Sequence, residues 1–131
     1  AVYKESLSRL ARDNGAGIIQ SVHFWENPSR EIPGEATLNE LVREAFSTGA
    51  DYLKIAVYTY SVQQSDKLLA WCDEQNAREG VDYRITVMIM GEDALRTRKH
   101  ALSQGYPFVY AASGPQNTTA PGQPSFEALM M

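Results

Sequence analysis

At 131 residues the chain is one domain's worth of sequence, long enough to close a real hydrophobic core. Hydrophobic residues at 44% and charged residues at 21% describe an ordinary globular domain, and a formal charge of −4 with scattered Lys and Arg argues against a nucleic-acid partner. Cys72 is the lone cysteine, so an internal disulfide is excluded; no apolar run approaches the roughly 20 residues of a membrane span, and no signal peptide is evident, so a cytoplasmic location is expected.

Tyr3, Leu7, Leu10 and Ala11 lie along one face of a predicted helix, with Asn14-Gly15 as its stop. Residues 17–25, GIIQSVHFW, read as a strand and 27–37 as a loop. Thr37 with Glu40 three residues on forms a capping box. The helix it opens would bury Leu38, Leu41, Val42, Ala45 and Phe46 before ending at Gly49. A strand follows at 52–58, then a helix from about Ser65 to Arg78, stopped by Gly80. A third strand at 85–90 precedes a helix from about Asp93 to Gln104, stopped by Gly105. A fourth strand is expected at 108–112. The loop 113–124 then leads into the first turn of another helix at Ser125.

Strands alternating with helices predict a parallel sheet with right-handed crossovers. Two architectures satisfy this: a small open sheet covered on both faces, or a segment of a (β/α)8 barrel. Ser21, His23 and Trp25 share one strand face, and Lys54, Ala56 and Tyr58 share another. Polar groups converging in this way favour a barrel, whose interior near the C-terminal mouth collects reactive groups from several strands.

The stretch ADYLKIAVYTY, residues 50–60, places Lys54 inside an otherwise apolar strand. Either it is a strand-end lysine reaching water, or its amine is kept poorly hydrated so that part of it is free to attack a carbonyl. His23, in SVHFW, is either a half-buried histidine with a hydrogen-bonded neighbour or the proton carrier such an amine needs. Together, lysine and histidine on neighbouring strands suggest Schiff-base chemistry. Arg98 is either a solvated helix-face arginine, as expected for Arg96, or a clamp for a carboxylate. The loop TTAPGQP is either only a loop, or offers Thr118, Thr119 and Gln123 to a ligand rich in hydroxyls.

Other groups carry less. No phosphate-binding glycine signature is present, and His23 and His100 lack metal-ligand spacing. Asp66, Asp73, Glu74 and Glu79 are expected on solvated helix faces. Met88, Met90 and Tyr83 are expected in the core or a site wall.

Four stretches, SVHFWENPS, ADYLKIAV, ITVMIMGEDALRTR and TAPGQPSFEAL, resemble in order and spacing the C-terminal half of type I 3-dehydroquinate dehydratase. The resemblance covers nearly the whole chain. It implies a single domain over residues 1–131, forming about four β/α units of a (β/α)8 TIM barrel. It implies a lyase of the shikimate pathway that removes water from 3-dehydroquinate to give 3-dehydroshikimate through a lysine imine, without metal or dissociable cofactor. Lys54 matches the family's imine-forming lysine, and His23 its Ser-x-His acid/base. Arg98 matches the arginine that pairs with the substrate carboxylate. Thr119 and Gln123 match the loop that hydrogen-bonds substrate oxygens.

There are departures from the family pattern. Phe24 stands where the family has Asp, Ala94 where it has Gly, and Thr97 and Thr119 where it has Ser. Nothing corresponds to the carboxylates and arginine of the family's first four strands. A full barrel runs to about 250 residues, so a homodimer, or association with a missing N-terminal half, is expected. A chain opening on Ala1 is also expected to be a piece or a processed form of something longer. The alternative function is a catalytically impaired half-barrel that serves as a ligand-binding or assembly module. A third reading is an unrelated parallel α/β domain in which the lysine and histidine are incidental.

Overall fold

A computed structural model describes residues 2–78, 80–81, 84–114 and 121–131. Glu79, Tyr83, Thr118 and Thr119 therefore lie outside the described residues. In chain order the elements are α1 (Val2–Asp13), β1 (Ile19–Phe24), α2 (Glu35–Ser47), β2 (Tyr52–Tyr58), α3 (Val62–Asn76), β3 (Ile85–Met90), α4 (Ala94–Gln104) and α5 (Phe126–Met130).

The strands form one parallel sheet in the order β1-β2-β3, with β2 central. Alternation along each strand separates two faces. One carries Val22 and Phe24 from β1, Leu53, Ile55 and Val57 from β2, and Ile85, Val87 and Ile89 from β3. This face packs under Leu38, Val42 and Ala45 of α2, Leu68, Leu69, Trp71 and Cys72 of α3, and Ala101 of α4. All three helices thus cover the same side. A sheet whose strand order runs steadily with the chain, with every crossover right-handed, places its helices on one side only. An open doubly wound sheet must reverse its strand order to cover both. The chain is therefore a stretch of barrel wall, and the second face is the barrel interior.

The interior face reads across the register as Ser21, Lys54 and Thr86 at one level and His23, Ala56 and Met88 at the next. A small apolar cluster, Ala56, Met88 and Met90 with Tyr58 and Phe108, covers part of it. The edge strand β1 leaves its own share open: Ile19 is 47% exposed and Trp25 56%.

Several local details differ from the sequence-based expectation. The second helix begins at Glu35 after an extended Gly34, with no side-chain cap, so Thr37 lies inside the first turn. Glu35 and Ala36 are good helix formers, and an acid at the N-terminus suits the helix dipole, so the helix extends past the capping box. The third helix starts at Val62, where Ser61 Oγ accepts a hydrogen bond from Gln64 N at 3.1 Å. Among the described side chains of α1 the buried one is Ser8, whose Oγ donates to Thr48 O at 2.6 Å, while Leu10 stays 60% exposed. This helix docks through the α2–β2 turn, and no described strand lies beneath its apolar stripe.

The expected fourth strand at 108–112 does not form a ladder. Among the described residues a single parallel bridge joins Ala112 to Ser125, supported by Ala112 N donating to Pro124 O and Phe126 N donating to Ala112 O. Farther back the carbonyl of Tyr110 accepts from Arg98 rather than from a strand neighbour.

Truncating the helix-facing core tests this layering. Ile55→Ala, at a position with no exposed surface, lowers unfolding free energy in urea by about 3 kcal/mol. Leu10→Ala on the open face of α1 changes it by less than about 0.5 kcal/mol.

Candidate active site

His23, Lys54, Arg98 and Gln123 line one cavity of about 120 Å³ on the interior face. Ala56, Met88 and Met90 form its apolar floor, and Trp25 and Tyr110 its walls. Each polar group arrives from a different element. Lys54 comes from the middle of β2, where alternation turns it away from Leu53 and Ile55 and into the interior. Its side chain cannot reach bulk water easily, because the residue is only 8% exposed. Arg98 comes from α4, whose buried stripe Ala94, Thr97, Arg98 and Ala101 follows helical spacing. Arg96, two positions away, instead lies on the surface and pairs with Asp66 and Asp93 at 2.8 and 2.7 Å.

The Arg98 guanidinium is held by backbone rather than by acid. Nη1 donates to Tyr110 O at 2.5 Å and Nη2 to Ile89 O at 3.4 Å. Its Nε is buried with no hydrogen-bond partner among the described residues. The residue is 3% exposed, and burial pushes its pKa down to about 10. It stays charged at neutral pH. A buried donor with no acceptor is costly.

Lys54 is pushed below the ordinary lysine range, first by burial and then by the nearby Arg98 charge. Its Nζ sits 4.0 Å from the centroid of the Tyr110 ring. His23 stacks on Trp25, with ring centroids 5.0 Å apart and planes 10° from parallel. His23 is exposed on the edge strand, and its partial desolvation and then the Lys54 charge push the imidazole below its ordinary value. No carboxylate lines the cavity among the described residues. Two cations and an imidazole without a counter-acid give the site a positive field that suits an anionic ligand.

The loop that delivers Gln123 is docked tightly. Gly91 N donates to Pro121 O at 2.9 Å, and Gly122 adopts φ +72°. A Cβ on Gly122 would meet Gly91 O at 1.9 Å, so only glycine permits this approach. Thr119, also expected at the site, lies outside the described residues. A larger hollow of about 440 Å³ at the strand ends is lined by Glu26, Arg30, Tyr60 and Glu92 among others, but carries no amine or imidazole.

Tyr110 was not singled out in the sequence. Its signal was the alternation of Phe108 and Tyr110 after β3, two aromatics spaced to face the interior. Thr86 beside Lys54 is a second such residue; its hydroxyl is fully buried with no partner among the described residues.

The family model described as Type I 3-dehydroquinase matches residues 2–131. The chain belongs to the type I 3-dehydroquinase family. No curated protein sequence matches it. Solved structures similar in fold include 3-dehydroquinate dehydratase from Geobacillus kaustophilus HTA426, with TM-score 0.82 and 24% identity, over 98% of this chain and 47% of that one. The type I 3-dehydroquinate dehydratase from Clostridium difficile, solved with covalently modified comenic acid, gives TM-score 0.78 and 23% identity over 97% and 47%. The 3-dehydroquinate dehydratase from Aquifex aeolicus VF5 gives 0.76 and 24% over 97% and 52%. The chain spans about half the length of those structures.

The buried amine has a stability signature. Because the folded state lowers the Lys54 pKa from 10.5, the folded chain binds fewer protons than the unfolded one, and stability rises with pH in that range. Lys54→Met therefore raises the urea midpoint at pH 7, and the gain shrinks as pH approaches 10.5. Equal midpoints at pH 7 would contradict the buried-charge assignment.

Proposed function

We propose that the chain is the lysine-bearing half of a 3-dehydroquinate dehydratase and that its cavity removes water from 3-dehydroquinate. The observation that carries this reading is a poorly hydrated Lys54 amine and the His23 imidazole lining one cavity beside a buried arginine. Family membership supports the substrate, as does the likeness to solved 3-dehydroquinate dehydratases.

In this reading the free amine of Lys54 adds to the substrate ketone, and loss of water gives an iminium. His23 takes the proton from the carbon alpha to it, and the electron pair flows into the iminium to give an enamine. The enamine then expels the hydroxyl, which leaves as water with the proton His23 had taken. Hydrolysis of the conjugated iminium returns the amine and releases 3-dehydroshikimate, a step of the shikimate pathway. Arg98 holds the substrate carboxylate through donors that include the unpartnered Nε, and Gln123 and Thr119 hydrogen-bond its oxygens. No step calls for a metal or a dissociable cofactor. The lone, buried Cys72 fits a reducing cytoplasm.

The open interior face adds a statement about assembly. Exposed Trp25 and Ile19 and an unpaired β1 edge favour cover by another half-barrel. That cover is a second copy of this chain or a partner supplying the first four strands. Light scattering on a size-exclusion column should show no stable monomer. A second functional reading is an impaired site that binds without turnover, favoured by the absence of a carboxylate beside His23 and by Phe24.

Borohydride separates the readings. Chain incubated with 3-dehydroquinate and then reduced gains the mass of one adduct, and the conjugated product absorbs in the ultraviolet. Lys54→Ala abolishes both. His23→Ala slows product formation by about 10²- to 10⁴-fold while some adduct remains. Adduct without product would favour the impaired reading, and no adduct would overturn both.

A further inference from the structure

Lys54 and Arg98 share a small cavity in which no carboxylate lies among the described residues, so weaker contacts hold two like charges in place. Both find them in the same residue. The Lys54 Nζ lies 4.0 Å from the Tyr110 ring centroid, while Arg98 Nη1 donates to the Tyr110 carbonyl at 2.5 Å. An aromatic face presents the negative part of its quadrupole to a cation, and a carbonyl presents the negative end of its dipole. We propose that Tyr110 is a positioning residue: its ring face orients the Lys54 amine and its carbonyl orients the Arg98 guanidinium before a ligand arrives. The proposal builds on the reading of Lys54 as the nucleophile.

The choice of anchor has a chemical consequence. A carboxylate beside Lys54 would pair with the ammonium and favour its charged form. A ring face attracts the ammonium far less than an ion pair does, so it directs the amine while leaving deprotonation within reach. Tyr110 itself is held in turn. The segment 108–112 lacks a strand ladder, and its order rests on the Arg98 hydrogen bond and the Ala112–Ser125 bridge. The titratable and charged groups around Lys54 are His23 from β1, Arg98 from α4 and the Tyr110 phenol, with the uncharged Gln123 beside them. Removing the ring leaves burial and the like charge of Arg98 unopposed.

The test is an NMR titration of the Lys54 side chain, assigned by its loss in Lys54→Arg, in the wild type and in Tyr110→Phe, Tyr110→Leu and Tyr110→Trp. No substrate is needed, so failure here is distinct from failure of the lyase reading. Tyr110→Phe keeps the ring face and leaves the midpoint in place. Tyr110→Leu moves it down, which at a fixed lower pH raises the free-amine fraction roughly three- to tenfold. Tyr110→Trp, with the strongest ring face, moves it up. Should Tyr110→Leu fail to fold, the Trp and Phe variants carry the same comparison. Equal midpoints in Trp and Phe, or a Phe midpoint as low as that of Leu, would overturn the proposal.

Discussion

A lysine held in a sheet interior, with no acid lining its cavity among the described residues, is the constraint around which this chain is arranged. Water would solvate the ammonium at no cost, and a carboxylate would neutralise it. The fold supplies neither. It surrounds the Lys54 stem with the central strand of a parallel sheet, closes the cavity with Met88, Met90 and Tyr110, and places the fixed charge of Arg98 nearby. Burial and the Arg98 charge disfavour the charged amine, the Tyr110 ring face offsets only part of that, and the folded state bears the cost.

That arrangement needs a sheet with one face free of helices. The run β1-β2-β3 with α2, α3 and α4 all on the other side provides it. The helix-covered face carries the apolar core and holds the strands in register. The register sets Lys54 beside Thr86 and His23 beside Ala56. Stability and reactivity are thus divided between the two faces of the same residues' backbone. The interior face is open on the β1 side, where the exposed Trp25 stacks on His23.

Much of this was legible in the letters. Strand positions 52–58 and 85–90 follow from dense β-branched and apolar runs, and both agree with the structure. Lys54 stood out because a charge inside such a run has few structural reasons. Arg98 was harder, since a helix-face arginine looks alike on either side; only the family resemblance singled it out, and it is the structure that buries it in one stripe with Ala94, Thr97 and Ala101. Less legible were features decided by tertiary contacts. The 108–112 segment has strand-like composition, but Arg98 takes the carbonyl of Tyr110, and no ladder forms. The same contact brings the Tyr110 ring to Lys54, so the misplaced strand and the overlooked residue have one cause. Thr37 looked like a cap because local pattern cannot register that Glu35 and Ala36 already continue the helix.

Competitive labelling with a small amine-reactive reagent, read by peptide mass at a series of pH values, tests the central claim most directly. It reports the titration and nucleophilicity of Lys54 against Lys67 and Lys99 in the same sample. The account predicts that Lys54 becomes reactive at lower pH than either of the other two. Labelling of Lys54 in step with Lys67 and Lys99 would contradict it.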